Sequence, residues 1–297
     1  MIPSHQTDQA LAAIKAETLI ESLPWLQQFH DKIVVVKFGG NAMVNPELQR
    51  AFAQDMAYLR WVGIKPVVVH GGGPQISARL KELGIESEFR GGLRVTDAAT
   101  IDVVREVLRN QISAQLASLI AEAGGEPVVL SGEDSHLFRA EKTLLDTDAG
   151  PVDIGFVGEV VTVNPRVVLD ALNEGKIPVI STVSPDVNGD LYNVNADLAA
   201  GALAVAFGAE KLMVLTDVAG LYSDWPNMDS LVSEISASEL DTMLPALESG
   251  MIPKMQACLK AVRGGVPRAH VIDGRTPHSI LLEIFTTSGV GTLVLPD

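Results

Sequence analysis

The sequence predicts an α/β fold, an open three-layer αβα sandwich around a mainly parallel sheet, and two observations carry that prediction. Runs such as Ile33-Val34-Val35-Val36 and Val67-Val68-Val69 are continuously apolar, as strands buried on both faces must be. Each is followed by a helical pattern, and β then α alternation requires parallel strands joined by crossover helices. With 297 residues, 47% of them hydrophobic, the chain has material for one large domain or two closely joined lobes.

In chain order, residues 8–23 predict a helix with a ragged apolar stripe of Leu11, Ile14, Leu19, Ile20 and Leu23, closed by Pro24. It reads either as a helix packed on its own body or as an arm that docks on another subunit. Strand 33–38 precedes helix 46–62, and strand 66–69 precedes helix 74–83, which Pro74 opens. Thr96 or Asp97 can cap a long helix that runs to Ala123, where Gly124-Gly125 stops it. Residues 127–163 differ, with short strands and turn residues that predict hairpins beside the main sheet, a place for a substrate lid. The first pattern then returns as strand 178–181, helix 196–207, strand 211–216, helix 253–263 and strand 268–272. No Pro/Ser-rich linker interrupts the chain, so any boundary is tight. The expected division is an arm over 1–30, a first lobe over 31–208 and a second over 209–297, meeting near Gly208.

Composition narrows the function. A net charge of −15 with no basic cluster argues against nucleic acid as a partner. Cys258 is the single cysteine, too few for a disulfide framework or a cysteine metal site within one chain, and a reducing cytoplasm fits best. No stretch approaches the ~20 apolar residues of a membrane span, and the start is polar and acidic rather than basic then apolar, so neither span nor signal peptide is expected. His136, His270 and His278 lack metal-ligand spacing, so no metal-binding residue is predicted.

The chemistry concentrates in a few segments. Lys37 ends a buried strand and brings a point charge to the mouth of the sheet, where Gly39-Gly40 let a ligand approach the backbone. In the run from Asp190 to Asp197, alternate residues of an extended chain share a face, so Asn193, Asn195 and Asp197 line one rim and Asp197 can fix cations. His70-Gly71-Gly72-Gly73-Pro74-Gln75 follows a strand and opens a helix, presenting unpaired N–H groups and a helix dipole to an anion; a tight βα turn is the plainer reading. It is not a dinucleotide fingerprint, because the spaced third glycine and the ribose-binding acid are missing. His70 itself orients the glycine turn or serves the core rather than taking protons. Arg94, between Gly91-Gly92 and a helix cap, can grip a carboxylate, although an arginine so placed is often a surface residue. Lys254 lies at a helix start, an unfavourable place for a cation unless an anion is bound, or simply a solvated first turn. Thr216-Asp217-Val218-Ala219-Gly220 ends an apolar strand in a turn.

Lys37 to Met43, His70 to Gln75, Arg94-Val95-Thr96-Asp97, Asn193 to Asp197 and Gly250 to Met255 together resemble, in order, the signature segments of the acetylglutamate kinases within the amino acid kinase family. The resemblance covers the chain from residue 31 onward; Phe38 stands where Tyr is often expected. It implies a first lobe that binds N-acetyl-L-glutamate and a second that binds ATP, with Mg²⁺ arriving on the nucleotide. Lys37 and Lys254 would stabilise the transferring phosphoryl group and Asp197 would hold both. Gly39, Gly40, Gly72 and Gly73 would give N–H groups to phosphate or substrate, Gly72 and Gly73 on the substrate side and Gly39 and Gly40 with the nucleotide. Arg94 would bind a substrate carboxylate, Asn193 would contact the substrate and Asn195 would fix that wall, while Thr216, Asp217 and Gly220 would sit by the nucleotide. The acceptor would be a γ-carboxylate, ionised at neutral pH with a pKa near ~4.3, which needs no general base.

The N-terminal helix resembles that of the arginine-inhibited, hexameric branch, a trimer of dimers, and Lys211, His270, Glu283 and residues 288–292 resemble its L-arginine site. Singly, each has a plainer reading as a strand or helix residue. Rival readings are a sibling such as glutamate 5-kinase, carbamate kinase, aspartate kinase or uridylate kinase, a non-catalytic arginine- or nucleotide-sensing module, and a nicotinamide oxidoreductase. The paired lysines with Asp197 argue against the sensor, and the glycine pattern against the oxidoreductase.

Overall fold

The computed structural model describes residues 4–145, 147, 150–286 and 289–297. It opens with helices α1 (Ser4–Glu21) and α2 (Leu23–Phe29). Pro24, expected to close one helix, instead occupies the first turn of the second, where its missing N–H costs nothing. Leu11, Ile14, Leu19 and Ile20 of α1 are each at least 51% exposed, so the stripe does not pack on the rest of the chain.

Strand β1 (Ile33–Phe38) passes through a 3₁₀ turn at Gly40–Met43 into α3 (Pro46–Trp61), which Asn45 caps by accepting from the Glu47 and Leu48 N–H groups. Strand β2 (Lys65–His70) leads to α4 (Gly73–Glu82), and the ribbon β3 (Phe89–Arg90) with β4 (Leu93–Arg94) leads to α5 (Ala98–Glu106). Asp97 caps α5, its Oδ1 accepting from the Thr100 N–H at 2.7 Å. The long helix expected up to Ala123 is not uniform, because Val107–Ile112 widen into a π-helix before α6 (Ser113–Glu122). Next come β5 (Pro127–Ser131), the hairpin β6 (Phe138–Leu145) and β7 (Val152–Val163), α7 (Arg166–Asn173), β8 (Ile177–Ser181), β9 (Val183–Pro185), β10 (Leu191–Val194) and α8 (Ala196–Ala206). The remainder holds β11 (Lys211–Thr216), the ribbon β12 (Leu221–Tyr222) with β13 (Leu231–Val232), β14 (Glu234–Ser236), α9 (Ala237–Met243), α10 (Ile252–Arg263), β15 (Ala269–Asp273), α11 (Ser279–Phe285) and β16 (Thr292–Leu295).

Eight strands form the main sheet in the order β14-β16-β15-β11-β1-β2-β8-β5, parallel except where β15 meets β16. The hairpin region expected from Pro127 therefore begins later: β5 is an edge strand of the main sheet, and β6 and β7 build a second sheet with β10 and β9. Side chains alternate across β1. Val34, Val36 and Phe38 face a core made with α3, α6 and α11, and Val35 faces one made with α7, α8, α9 and α10. By the same period of two, Lys37 shares the face of Val35 and reaches toward α8 and α10. The chain builds the sheet outward from β1 in both directions, so the carboxyl ends of β1, β2 and β11 surround a topological switch point, where open α/β sheets bind ligands.

Candidate active site

Lys37, Asp197 and Lys254 come together where that alternation leads. Asp197 lies in the first turn of α8 and is 4% exposed. Lys37 Nζ stands 2.9 Å from its Oδ1, a charge contact rather than an aligned hydrogen bond, and Lys254 Nζ donates to Oδ2 at 3.4 Å and to the Gly250 carbonyl at 3.1 Å. Burial alone would raise the Asp197 pKa, but the two ammonium groups outweigh it and hold the carboxyl below its usual range. Two cations therefore share one anion. Lys37 curls back over Gly39, where any Cβ would collide with its ammonium group.

Lys37 and Asp197 border a cavity of about 240 Å³, walled by Gly39, Gly40, Gly71, Gly72 and Gly73 on one side and Asn193 and Asn195 on another. Ile76, Leu93, Leu108 and Val157 give it an apolar lining. Across it lies Arg94, 6% exposed, donating to the Gly73 carbonyl at 2.9 Å, to Ser77 Oγ at 2.8 Å and to Ser87 Oγ, with its guanidinium 4.5 Å from the Phe89 ring centroid. Arg94 is thus a buried, oriented cation and not a surface residue. Asn193 Nδ2 donates to Thr96 Oγ1 at 3.3 Å. The Asn195 side chain does more than border the rim: it caps α8, accepting from the N–H groups of Asp197 and Leu198, and so fixes the turn that carries Asp197.

The Thr216–Gly220 turn lies apart from that cavity. The Asp217 carboxylate accepts the Asn41 N–H at 2.8 Å and covers Gly40, whose φ of 71° and lack of a Cβ are both needed there. The Thr216 carbonyl accepts from the Gly274 N–H at 2.8 Å, and Gly220 abuts Thr292. Beside the turn opens a second cavity of about 380 Å³ with Tyr222, Trp225, Met243, Leu247 and Met251 in its walls. Sequence reasoning missed these five. The signal lay in Tyr222 and Trp225, two of only three tyrosines and three tryptophans, clustered just after the turn.

Lys211, His270 and Glu283 also meet. Glu283 Oε1 is 2.7 Å from Lys211 Nζ and 3.0 Å from His270 Nε2, and Oε2 accepts the Val290 N–H at 2.8 Å. Burial alone would raise the Glu283 pKa, but the His270 hydrogen bond and the Lys211 charge hold it at about 2. Burial lowers that of His270, so the neutral ring donates through Nε2 and its buried Nδ1 has no partner among the described residues. A cavity of about 340 Å³ lies here, walled also by Trp25, Phe29 and Arg268. Trp25 and Phe29 were not anticipated; Ser288 of the 288–292 segment lies outside the described residues. Among the described residues no cluster of three or more His, Cys, Asp or Glu side chains is placed to hold a metal ion, and no helix is long and apolar enough to cross a membrane.

A parallel αβα sandwich whose switch point gathers two lysines on one buried carboxylate above glycine turns has the fold and charge pattern of a phosphoryl-transfer enzyme. The chain belongs to the amino acid kinase family, whose family model matches residues 32–273. It is 62% identical over 285 residues to the acetylglutamate kinase of Saccharopolyspora erythraea, covering 96% of this chain and 94% of that one. To the acetylglutamate kinase of Rhodococcus jostii it is 60% identical over 282 residues, covering 95% and 92%. Among solved structures, the N-acetylglutamate synthase from Neisseria gonorrhoeae complexed with coenzyme A and N-acetyl-glutamate superposes with a TM-score of 0.83 at 22% identity, a likeness of fold. This chain is 95% covered by that match and spans 63% of the synthase. The chain is accordingly a kinase of this family.

Proposed function

We propose that the protein transfers the γ-phosphoryl group of ATP to the γ-carboxylate of N-acetyl-L-glutamate, forming N-acetyl-L-glutamyl 5-phosphate in arginine biosynthesis. The observation that carries this reading is the pair Lys37 and Lys254 on Asp197, with Lys37 and Asp197 facing Arg94 across one glycine-walled cavity. A carboxylate oxygen attacks the γ-phosphorus, the new O–P bond forms, and the electron pair of the breaking P–O bond leaves on ADP. The acceptor is already ionised, so no base is required, and the problem is to bring anions together. Arg94 takes a substrate carboxylate, Asn193 contacts the substrate, and the apolar lining receives the acetyl methyl. Lys37, Lys254 and the glycine N–H groups draw off the charge that develops in transfer.

Residues 209–297 form the nucleotide lobe, with the Thr216–Gly220 turn and the cavity of Tyr222 and Trp225 receiving ATP, while residues 31–208 form the substrate lobe. Mg²⁺ on the nucleotide supplies charge neutralisation of the β- and γ-phosphates. The donor set fits a metal carried in this way, because Asp197 is committed to two ammonium groups and Asp217 to Asn41. The Lys211–His270–Glu283 cavity is the L-arginine site. Lys211 and Arg268 suit its carboxylate, and Glu283 with the unpartnered His270 Nδ1 suits cationic donors. The exposed face of α1 supports assembly into a hexamer, and the protein works in the cytoplasm.

The test is ATP consumption with Mg²⁺ and N-acetyl-L-glutamate, the acyl phosphate trapped by hydroxylamine, with L-glutamate, aspartate and carbamate as controls. Hydroxamate from acetylglutamate alone is expected. Turnover of a control acid instead would assign a sibling kinase, and ATP binding without turnover would assign a sensing module.

A further inference from the structure

His70, the last residue of β2, is completely buried, yet both its ring nitrogens are engaged: Nδ1 is 3.0 Å from the Gly71 carbonyl oxygen and Nε2 is 2.7 Å from Ser113 Oγ. A carbonyl only accepts, so Nδ1 carries the proton and Nε2 accepts from the Ser113 hydroxyl. The hydroxyl also lies 3.0 Å from the Leu108 carbonyl, but giving its one proton there would require an Nε2–H ring and leave a bare Nδ1 facing the Gly71 carbonyl oxygen, lone pair against lone pair. One ring proton therefore satisfies the whole arrangement. Burial lowers the His70 pKa to about 4, which keeps the ring neutral at physiological pH.

In a trans peptide the C=O of Gly71 and the N–H of Gly72 point in opposite directions. Holding the carbonyl toward the ring turns the Gly72 N–H the other way. Gly72 lines the cavity beside Lys37, and no backbone hydrogen bond among the described residues uses its N–H. On its other side, Gly72 lies against the π-helix, where a Cβ would stand 2.5 Å from Ile112 Cδ1 and 2.7 Å from Leu108 Cδ2. Ser113 is the residue at which that widened turn returns to α6.

We propose that His70 is a positioning residue for phosphoryl transfer. It acts as a rigid spacer that takes its bearing from Ser113 and aims the Gly72 N–H at the anion in the cavity. The identity of that anion rests on the kinase reading above; the tautomer and the direction of the peptide do not.

Two measurements test it. In full-length protein labelled with ¹⁵N in its histidine rings, His70 should show Nδ1–H and a bare Nε2, unchanged between about pH 6 and 8. An Nε2–H ring, or titration in that range, overturns the proposal whatever the turnover. The second measurement compares His70→Asn, which keeps a donor near the Nδ1 position, with His70→Gln, which keeps a polar atom near Nε2. His70→Asn should retain kcat within about 3-fold and His70→Gln should lose about 10- to 100-fold, the loss expected when a reacting group is misaimed. Gln fills more of the space, so a ring that merely packs predicts the opposite order, and either that order or equal losses overturns the proposal. If neither variant folds, the ring spectrum decides alone. A failed kinase reading would show separately, as wild-type protein with the expected spectrum and no turnover.

Discussion

Lys37 and Lys254 hold one carboxylate between them, and removing either leaves Asp197 in place while cancelling the one excess positive charge of that centre. Lys37→Ala or Lys254→Ala should lower kcat by about 10²–10³-fold with a modest change in KM, read from steady-state rates with acetylglutamate and ATP; a change in KM alone would contradict a transition-state role. Glu283 makes a prediction about pH. Its carboxyl has an ordinary pKa of 4.5 and sits at about 2 in the fold, so its pairing stabilises fully above about pH 4.5 and is lost as pH falls toward 2. Glu283→Gln should therefore unfold more easily at neutral pH, by roughly 3–5 kcal/mol as for other broken buried pairs, and the gap to wild type in urea melts should narrow over that window. Much at this scale was legible in the sequence. A lysine in an apolar strand and a carboxylate opening an apolar helix are conspicuous because burial makes isolated charges expensive. Ser77 and Ser87 behind Arg94, or Trp25 beside Glu283, were not legible, since ordinary residues acquire those positions only through tertiary packing.

The two helices that deliver Asp197 and Lys254 cross closely because α8 carries Gly201 at the contact. A Cβ at Gly201 would lie 2.9 Å from the Ala257 carbonyl oxygen, which belongs to the backbone of α10 and cannot swing away. Gly201→Val should push the helices apart, stretch the 3.4 Å Lys254 contact and lower both thermal stability and kcat; a variant with wild-type melting and rate would show that the crossing is not limiting. Element boundaries followed the sequence at Pro46, the first residue of α3, and at Asp97, which caps α5. The π-helix at Val107–Ile112 was hidden because one residue of slippage leaves an apolar stripe that still reads as a helix. Pro24 misled for a related reason: a proline between helical stretches suits the end of one and the first turn of the next.

Over the whole molecule, the alternation of strands and helices foretold the parallel sheet, whereas the order of its strands, and hence the membership of β5, depends on pairings between distant segments that a linear pattern does not encode. The arm belongs to this scale as well. Deleting residues 1–29 removes both the exposed apolar face of α1 and two walls of the Glu283 cavity, Trp25 and Phe29. The truncated protein should form a smaller assembly by light scattering and lose inhibition by millimolar L-arginine while retaining basal turnover; inhibition that survives truncation would place the effector elsewhere. The shared carboxylate of the two lysines, finally, has a thermodynamic meaning for the protein at rest. With two cations and one anion, the centre folds carrying an electrostatic debt of about one charge in a largely dry setting, and any polyanion that settles there relieves it. Ligand binding and folding are therefore linked: ATP at about 100 times its Kd should add about 2.7 kcal/mol to the unfolding free energy, so that the cell's nucleotide pool acts as part of the force that keeps the chain folded.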